Sequence, residues 1–325
     1  MLKNNLLKQI FREILSYSTY LNIIPKPSFR KDGISAIVRV YNEREYIEAS
    51  LNSIKDFVNE IIVVDTGSND DSIDILNELS HKISHLKVFN YYNRNLWEFS
   101  NFALSKTSYK WILKWDADFI AIEENENWFS EFKKWLYKLD NNRYYYINPT
   151  LIELMGDFHH QFYNVKFRKD IEIFTYSEEI KYVSIERWIE NPIKIENCNK
   201  KLHVKMEAVK IPKFYKILEY NRPIGFHLNI KSAERHLEGY FYLQWLAEKE
   251  NTKEDIYSYM IRKIKEEWNI SDIKLAAKFY MNYLIKNLEP YNGNLPKTII
   301  KLSEKSPYKI IYRDGKIISR TDILF

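Results

Sequence analysis

Two aspartates two residues apart close an apolar run in Trp111-Ile-Leu-Lys-Trp115-Asp116-Ala-Asp118. Carboxylates delivered together where a strand ends can turn toward one point, because the alternation of the pleat stops there. Hard oxygen donors of this kind suit Mg2+ or Mn2+, which keep coordination positions open for phosphate oxygens. A cation held there would neutralise a departing diphosphate. An isolated Asp-x-Asp pair is nevertheless commonplace, and most such pairs have no chemistry attached.

Two further stretches place polar groups where apolar runs end. In Glu60-Ile-Ile-Val-Val-Asp65-Thr-Gly-Ser-Asn-Asp-Asp-Ser72, Asp65 could accept the imide N–H of a uracil, and Gly67 allows a tight turn. The plainer reading is a strand-turn-helix with Asp70 or Asp71 as the helix cap. In Val40-Tyr41-Asn42-Glu43, Tyr41 can stack on a base and Glu43 can accept hydrogen bonds from a ribose. That trio is also an ordinary strand-to-helix turn. His159-His160 resembles a metal pair, but neighbours on a strand point to opposite faces, so both are read as loop or acceptor-side residues.

These groups need a scaffold that brings strand ends together. Ile34–Val40 is a β-branched strand, and Asn42 is expected to cap a helix over 43–56. Residues 60–65 form a near-continuous apolar run, as a buried parallel strand requires. Helices are expected at about 72–79 and 99–107, with strands at 85–91 and 111–115. This alternation predicts an α/β fold with a doubly wound, mostly parallel sheet, whose ligands bind beyond the carboxyl ends of its strands. After residue 142 the pattern changes to strands at 144–154, 163–167 and 171–176. A helix over 232–249 is capped by Ser232, and two more are capped near Thr252 and Ser271. Asp314-Gly315 between alternating runs predicts a closing β-hairpin. The expected division is a first helix and linker over 1–32, a catalytic domain over 33–249, and a mainly helical appendage ending in the hairpin over 250–325.

Composition narrows the partners. Hydrophobic residues at 45% and charged residues at 29% provide a core and a soluble surface. The net charge of +5 is scattered, with no run of five like charges, so no nucleic-acid surface is expected. Cys198 is the only cysteine, which excludes an internal disulfide and a thiolate metal cluster and points to a reducing, cytoplasmic setting. No apolar run approaches the roughly 20 residues that span a bilayer. Lys3, Lys8, Arg12 and Glu13 interrupt the opening stretch, which therefore lacks a signal-peptide core. Leu2, Leu6, Leu7, Ile10, Phe11, Ile14 and Leu15 recur at helical spacing. The favoured reading is an amphipathic helix docked on the domain or on a second subunit of a homodimer. Peripheral membrane contact is the alternative.

The order and spacing of 41–43, 60–72 and 116–118 resemble the family 2 glycosyltransferases, which have the GT-A fold, and the match covers about residues 33–122. Within that family the chain looks most similar to the branch containing lipopolysaccharide-core glucosyltransferases and glycocin peptide S-glycosyltransferases. In that branch a Trp-containing segment precedes an Arg/Lys-Asn helix start. Here Trp97 and Ser100-Asn101 stand at those positions, and Arg94 is the candidate to replace the basic residue that Ser100 lacks.

The resemblance implies a divalent metal, Mn2+ or Mg2+, and a nucleoside-diphosphate sugar donor, with a UDP-sugar as the first expectation. It implies that Tyr41, Glu43 and Asp65 hold the nucleoside, and that Asp116 bonds the ribose or a metal-bound water. Asp118 would ligate the metal. A late histidine and a nearby basic residue commonly complete such sites. His227 and Lys231 fit that pattern just before the Ser232 helix, whose N-terminus favours phosphate. Transfer with inversion also needs a general base. Phe167-Arg168-Lys169 resembles a strand that precedes a His-Glu pair in this branch, yet no His-Glu follows. Glu190, within Trp188-Ile-Glu-Asn-Pro192, is ranked first for that role, followed by Glu179 and Glu178. The acceptor is a glycan, lipid-linked or peptide nucleophile. The rival readings are a catalytically inactive sugar-nucleotide binding module and a nucleotidyltransferase. The latter would want a glycine-rich loop after the first strand, where Val-Tyr-Asn-Glu-Arg-Glu stands.

Overall fold

The computed structural model describes residues 2–92, 95–122, 128–163, 165, 167–193 and 199–323. Arg94 and Cys198 fall outside them. In chain order the elements begin with α1 (Leu2–Leu15), β1 (Lys31–Val40), α2 (Ile47–Ile54), β2 (Glu60–Asp65), α3 (Ser72–Lys82) and β3 (Leu86–Asn90). They continue with α4 (Leu96–Ser105), β4 (Tyr109–Asp116), β5 (Phe119–Ala121), α5 (Trp128–Leu136) and β6 (Tyr145–Met155). Next come β7 (His160–Phe162), β8 (Glu172–Thr175), β9 (Lys181–Glu190), β10 (Lys201–Lys210) and β11 (Lys216–Asn229). The last are α6 (Ala233–Thr252), α7 (Ile256–Trp268), α8 (Ile273–Ile285), β12 (Leu288–Pro290), α9 (Lys297–Lys305), β13 (Ile310–Arg313) and β14 (Lys316–Arg320).

Two compact units contain these elements. The first comprises Met1–Ile152, Phe167–Val183 and Val209–His227, and the second comprises Glu153–Lys166, Ser184–Ala208 and Leu228–Phe325. An eight-stranded sheet runs in the order β3-β2-β1-β4-β8-β6-β11-β5. Its first four strands are parallel, while β8 runs antiparallel to both β4 and β6, and β11 runs antiparallel to β5. The α/β class with a parallel-rich sheet is thus the expected one.

The alternation of side chains along the parallel strands explains the layering. Ala36, Val38, Val40, Ile61, Val63, Leu113 and Trp115 join one buried cluster, together with apolar residues of α2, α3 and α5. The intervening Ile37, Ile62, Val64 and Ile112 join another with Phe99, Ala103 and Leu104 of α4. Helices therefore cover both faces, and β2 is buried along its whole length. In the second unit α6, α7 and α8 share a core built on Leu237, Phe241, Tyr259, Ile264, Met281 and Ile285. The expected hairpin forms: Asp314 and Gly315 both adopt positive φ, the conformation that a tight two-residue turn demands.

Several local expectations change. Asn42 does not cap α2. It lies in the left-handed region at φ 53, its side chain accepts from the Asn69 N–H, and α2 begins only at Ile47. The caps of α7 and α8 are Asp255 and Asp272, whose carboxylates accept from Tyr257 and Ser258 and from Leu275. Ser232 caps α6 as expected, accepting from the Arg235 N–H.

Candidate active site

The carboxyl ends of β1, β2 and β4 lie side by side, with Val40 opposite Asp65 and Arg39 opposite Asp116. This register gathers the three sequence landmarks at one end of the parallel half-sheet. Asp65 is buried and its carboxylate is engaged by the turn that follows it. Oδ2 accepts from the Gly67 N–H at 2.9 Å and the Ser68 N–H at 3.1 Å, while Oδ1 accepts the Ser68 hydroxyl. Asp65 therefore shapes the loop, and Gly67 at φ 105 supplies the turn. Next to it the Ser68 hydroxyl accepts from Asn42 N–H at 2.9 Å, and the Ser72 hydroxyl accepts from Glu43 N–H at 2.9 Å. These bonds tie the Tyr41–Glu43 turn to the Asp65 turn.

Asp116 is gripped from β1. Arg39 donates from Nε to Oδ1 at 2.7 Å and from Nη2 to Oδ2 at 2.6 Å, a planar bidentate pair. Burial would raise the Asp116 carboxyl, but Arg39, aided by Lys114, holds it below the usual carboxylate range despite Asp118. Behind it, the Trp115 indole donates to the Ser50 hydroxyl at 3.0 Å, and that hydroxyl donates to the Asp116 carbonyl at 3.3 Å. The backbone of the Asp116–Asp118 turn is thus pinned to α2.

Asp118 leads directly into β5, and β5 pairs with the end of β11 so that Phe119 lies opposite His227. The His227 Nε2 stands 3.4 Å from Asp118 Oδ2, and its Nδ1 stands 3.8 Å from Asp170 Oδ2. The ring packs edge-on against Phe119, and its side chain is 16% exposed. Two strand ends widely separated in sequence thereby supply one carboxylate and one imidazole, with a second carboxylate on the other side of the ring. Among the described residues no three His, Cys, Asp or Glu side chains gather as an all-protein metal cage. A carboxylate with an imidazole fits instead a cation whose remaining positions are filled by phosphate oxygens and water.

Of the other sequence candidates, Asn101, Glu178 and Glu179 lie in the first unit, and Glu190 and Lys231 in the second. Asn101 is committed to β9: its side chain donates to the Tyr182 carbonyl at 2.8 Å and accepts from the Tyr182 N–H at 2.9 Å. Ser100 is buried on α4. Glu178 and Glu179 follow β8, which runs against β4 with Thr175 opposite Trp111. They leave the sheet at the amino end of β4, away from Asp116, because β8 descends where β4 ascends. Glu190 is exposed at the end of β9, in the second unit. Lys231 also belongs to the second unit, where its carbonyl accepts from the buried Arg320 at 2.9 Å. His160 is not paired with His159. It bridges Asp157 and the Tyr312 hydroxyl, at 2.6 Å each.

Sequence reasoning missed Arg39 and Asp170. A lone arginine inside the β-branched run Ile-Val-Arg-Val was a visible signal, since a charge in a central strand needs a partner. Asp170 follows Phe167-Arg168-Lys169, and Arg168 Nε bonds its carboxylate at 3.2 Å.

Residues 35–163 match the family model described as glycosyl transferase family 2. A cholesterol galactosyltransferase of Borreliella burgdorferi is 33% identical over 94 residues, covering 27% of this chain and 25% of that protein. The SPbeta prophage-derived glycosyltransferase SunS of Bacillus subtilis is 37% identical over 97 residues, covering 29% of this chain and 22% of that one. The chain thus spans about a quarter of the length of these curated relatives. Among solved structures, the mannosyltransferase PcManGT from Pyrobaculum calidifontis, in complex with GDP-Man and Mn2+, aligns at TM-score 0.39 and 12% identity, over 85% of this chain and 84% of that one.

Proposed function

We propose that the chain, whose residues 35–163 match the glycosyl transferase family 2 model, transfers a sugar from a nucleoside-diphosphate sugar, UDP-linked in the first instance, to a nucleophile on a glycan, lipid or peptide. The observation that supports this reading is the gathering of Asp118, His227 and Asp170 beside the Arg39–Asp116 bridge, at the strand ends that also carry Tyr41, Glu43 and Asp65.

Each residue has a role that its surroundings suit. Tyr41 and Glu43 line the nucleoside, and Asp65 holds the loop against which the base rests. Asp116, fixed and kept ionised by Arg39, accepts a ribose hydroxyl. Asp118 and His227 would hold a divalent cation, Mn2+ or Mg2+, which when bound would supply positive charge to the leaving diphosphate.

Asp170 takes the general-base role in place of Glu178, Glu179 and Glu190. It lies at the entry to β8, on the same side of the sheet as the carboxyl end of β4, and is 38% exposed. In a single displacement the acceptor O–H or S–H gives its proton to Asp170 as its lone pair forms the bond to the anomeric carbon. The bond from that carbon to the phosphate oxygen breaks, the nucleoside diphosphate leaves with the electron pair, and the configuration inverts.

The test is release of nucleoside diphosphate from a panel of nucleotide sugars with Mn2+, with and without acceptors of the three classes. Turnover of one donor, lost in Asp118→Asn, is the expected result. Tight nucleotide binding with no turnover under any condition would leave the binding-module reading in its place.

A further inference from the structure

The first helix is docked the wrong way round for an amphipathic helix of a soluble domain. Such a helix ordinarily buries its apolar stripe and leaves its polar face to water. Here the polar face is the docked one. Arg12 donates to the Pro212 carbonyl at 2.9 Å, and Glu13 pairs with Arg143 at 2.8 Å and Lys216 at 3.1 Å. Ser16 and Thr19, just beyond α1, are completely buried. The opposite side carries Leu7, Ile10, Phe11 and Ile14, which fall at i, i+3, i+4 and i+7 and are exposed, Leu7 by 65% and Ile14 by 64%. Leu21 and Ile23 in the following turn are exposed by 72% and 70%. Scattered exposed apolar residues need no explanation, but a stripe along one helix face marks a surface that something covers.

The charge distribution says what. The chain has 49 basic and 44 acidic residues. Its first 31 residues contain six basic residues, Lys3, Lys8, Arg12, Lys26, Arg30 and Lys31, against Glu13 alone. The remainder is therefore balanced, and the entire excess of positive charge lies in the segment that presents the apolar stripe. Lys8, Lys26 and Lys31 are exposed. An apolar face flanked by lysines is the pattern that inserts shallowly into a bilayer surface and is held there by acidic headgroups. A protein partner would call for a bounded, shape-specific patch, and a nucleic acid would have no use for the leucines and isoleucines.

We propose that α1 and the turn after it form a membrane-surface contact selective for anionic lipid, while Arg12, Glu13 and Ser16 fasten the helix to the rest of the first unit from its inner side. The full chain should co-sediment with vesicles containing about a third phosphatidylglycerol, and far less with pure phosphatidylcholine, the difference shrinking at high salt. The triple variant Leu7→Ser, Phe11→Ser, Ile14→Ser should lower vesicle binding at least tenfold, without altering thermal unfolding or nucleotide binding in solution. Lys8→Glu with Lys26→Glu should remove the preference for the anionic vesicles. A Phe11→Trp variant should be quenched by brominated acyl chains. Equal sedimentation of the triple variant and the parent chain would overturn the proposal. So would a concentration-dependent dimer that the triple variant abolishes while vesicle binding is absent, since a second copy would then cover the stripe.

Discussion

Arg39 and Asp116 occupy directly opposed positions on the parallel strands β1 and β4, and their side chains meet in two nearly equal hydrogen bonds of 2.7 and 2.6 Å. The pair is about a fifth exposed on each side, so solvent weakens it only in part. Its removal by Arg39→Met takes away the two hydrogen bonds and the main charge that hold Asp116 ionised. We expect a stability loss of about 1–3 kcal/mol and a fall in donor turnover on the order of tenfold to a hundredfold. Arg39→Lys restores charge but not the two-pronged geometry and should recover only part of the activity. The double variant Arg39→Met, Asp116→Asn should be more stable than Arg39→Met alone. Additive losses in that cycle, measured by urea unfolding, would show that the bridge is incidental.

Asp118→Asn should separate nucleotide binding from metal. Calorimetry on the parent chain is expected to show nucleoside diphosphate binding that drops roughly tenfold or more on chelation. In the variant the two conditions should coincide. Equal binding with and without chelator in the parent chain would remove the metal from the site.

Asp170→Asn should lower kcat by roughly a hundredfold to ten-thousandfold, with little change in donor KM, as for a group that acts on the acceptor proton. Glu178→Gln and Glu179→Gln, at the far end of β8, should change kcat less than about threefold. A kcat loss in either of those variants that matched Asp170→Asn would return the base to that end of the sheet.

His227→Ala is expected to reduce turnover by about tenfold to a hundredfold while leaving thermal unfolding within a few degrees. The imidazole is edge-packed on Phe119 rather than enclosed, and the β5–β11 pairing runs through the backbone. Unfolding of the variant at ordinary temperature would assign His227 to the core instead.

Acid should loosen the parallel sheet through Glu60. Burial would raise this carboxyl, yet Lys87, Ser35 and the Ser108 N–H and hydroxyl hold it below its usual value, and through it β1, β3 and the entry to β4 are joined. A depressed folded-state pKa adds stability that is fully present above the unfolded value, near 4.3, and is lost as pH falls through the folded value. Glu60→Gln should cost about 1–3 kcal/mol at pH 7. It should also flatten the decline in stability below pH 5 relative to the parent chain. Parallel pH curves for the two proteins would contradict this.

Much of the candidate site could be read from the sequence because its residues stand where apolar runs end. Asp65 and Asp116 are conspicuous as the first charges after buried strands, and His227 as the histidine ahead of a capped helix. The proposed general base, Asp170, was less legible, because the direction of β8 decides which end of the sheet its flanking carboxylates reach, and direction leaves no mark in a four-residue strand. The long strands β9, β10 and β11 were missed for a related reason: much of β9 and of the first half of β11 is exposed, so apolar contrast along them is weak. Asn42 was misassigned because Asn is at home both as a helix cap and in the left-handed conformation it adopts here. Thr252 and Ser271 lost the cap positions to Asp255 and Asp272, polar residues only one to three positions away.

The pairing of β5 with the end of β11 also sets an order of events during synthesis. Asp116 and Asp118 emerge with the parallel half of the sheet, but His227 is made roughly a hundred residues later and must close a long loop to reach them. Gly225 permits that closure, because a side chain there would meet the Ile120 carbonyl at 2.7 Å. A ribosome-bound chain can therefore complete its first β-α-β repeats well before it owns both halves of the cluster. Intermediates that stall before β11 joins would hold the Asp65 and Asp116 strand ends but lack the imidazole beside Asp118.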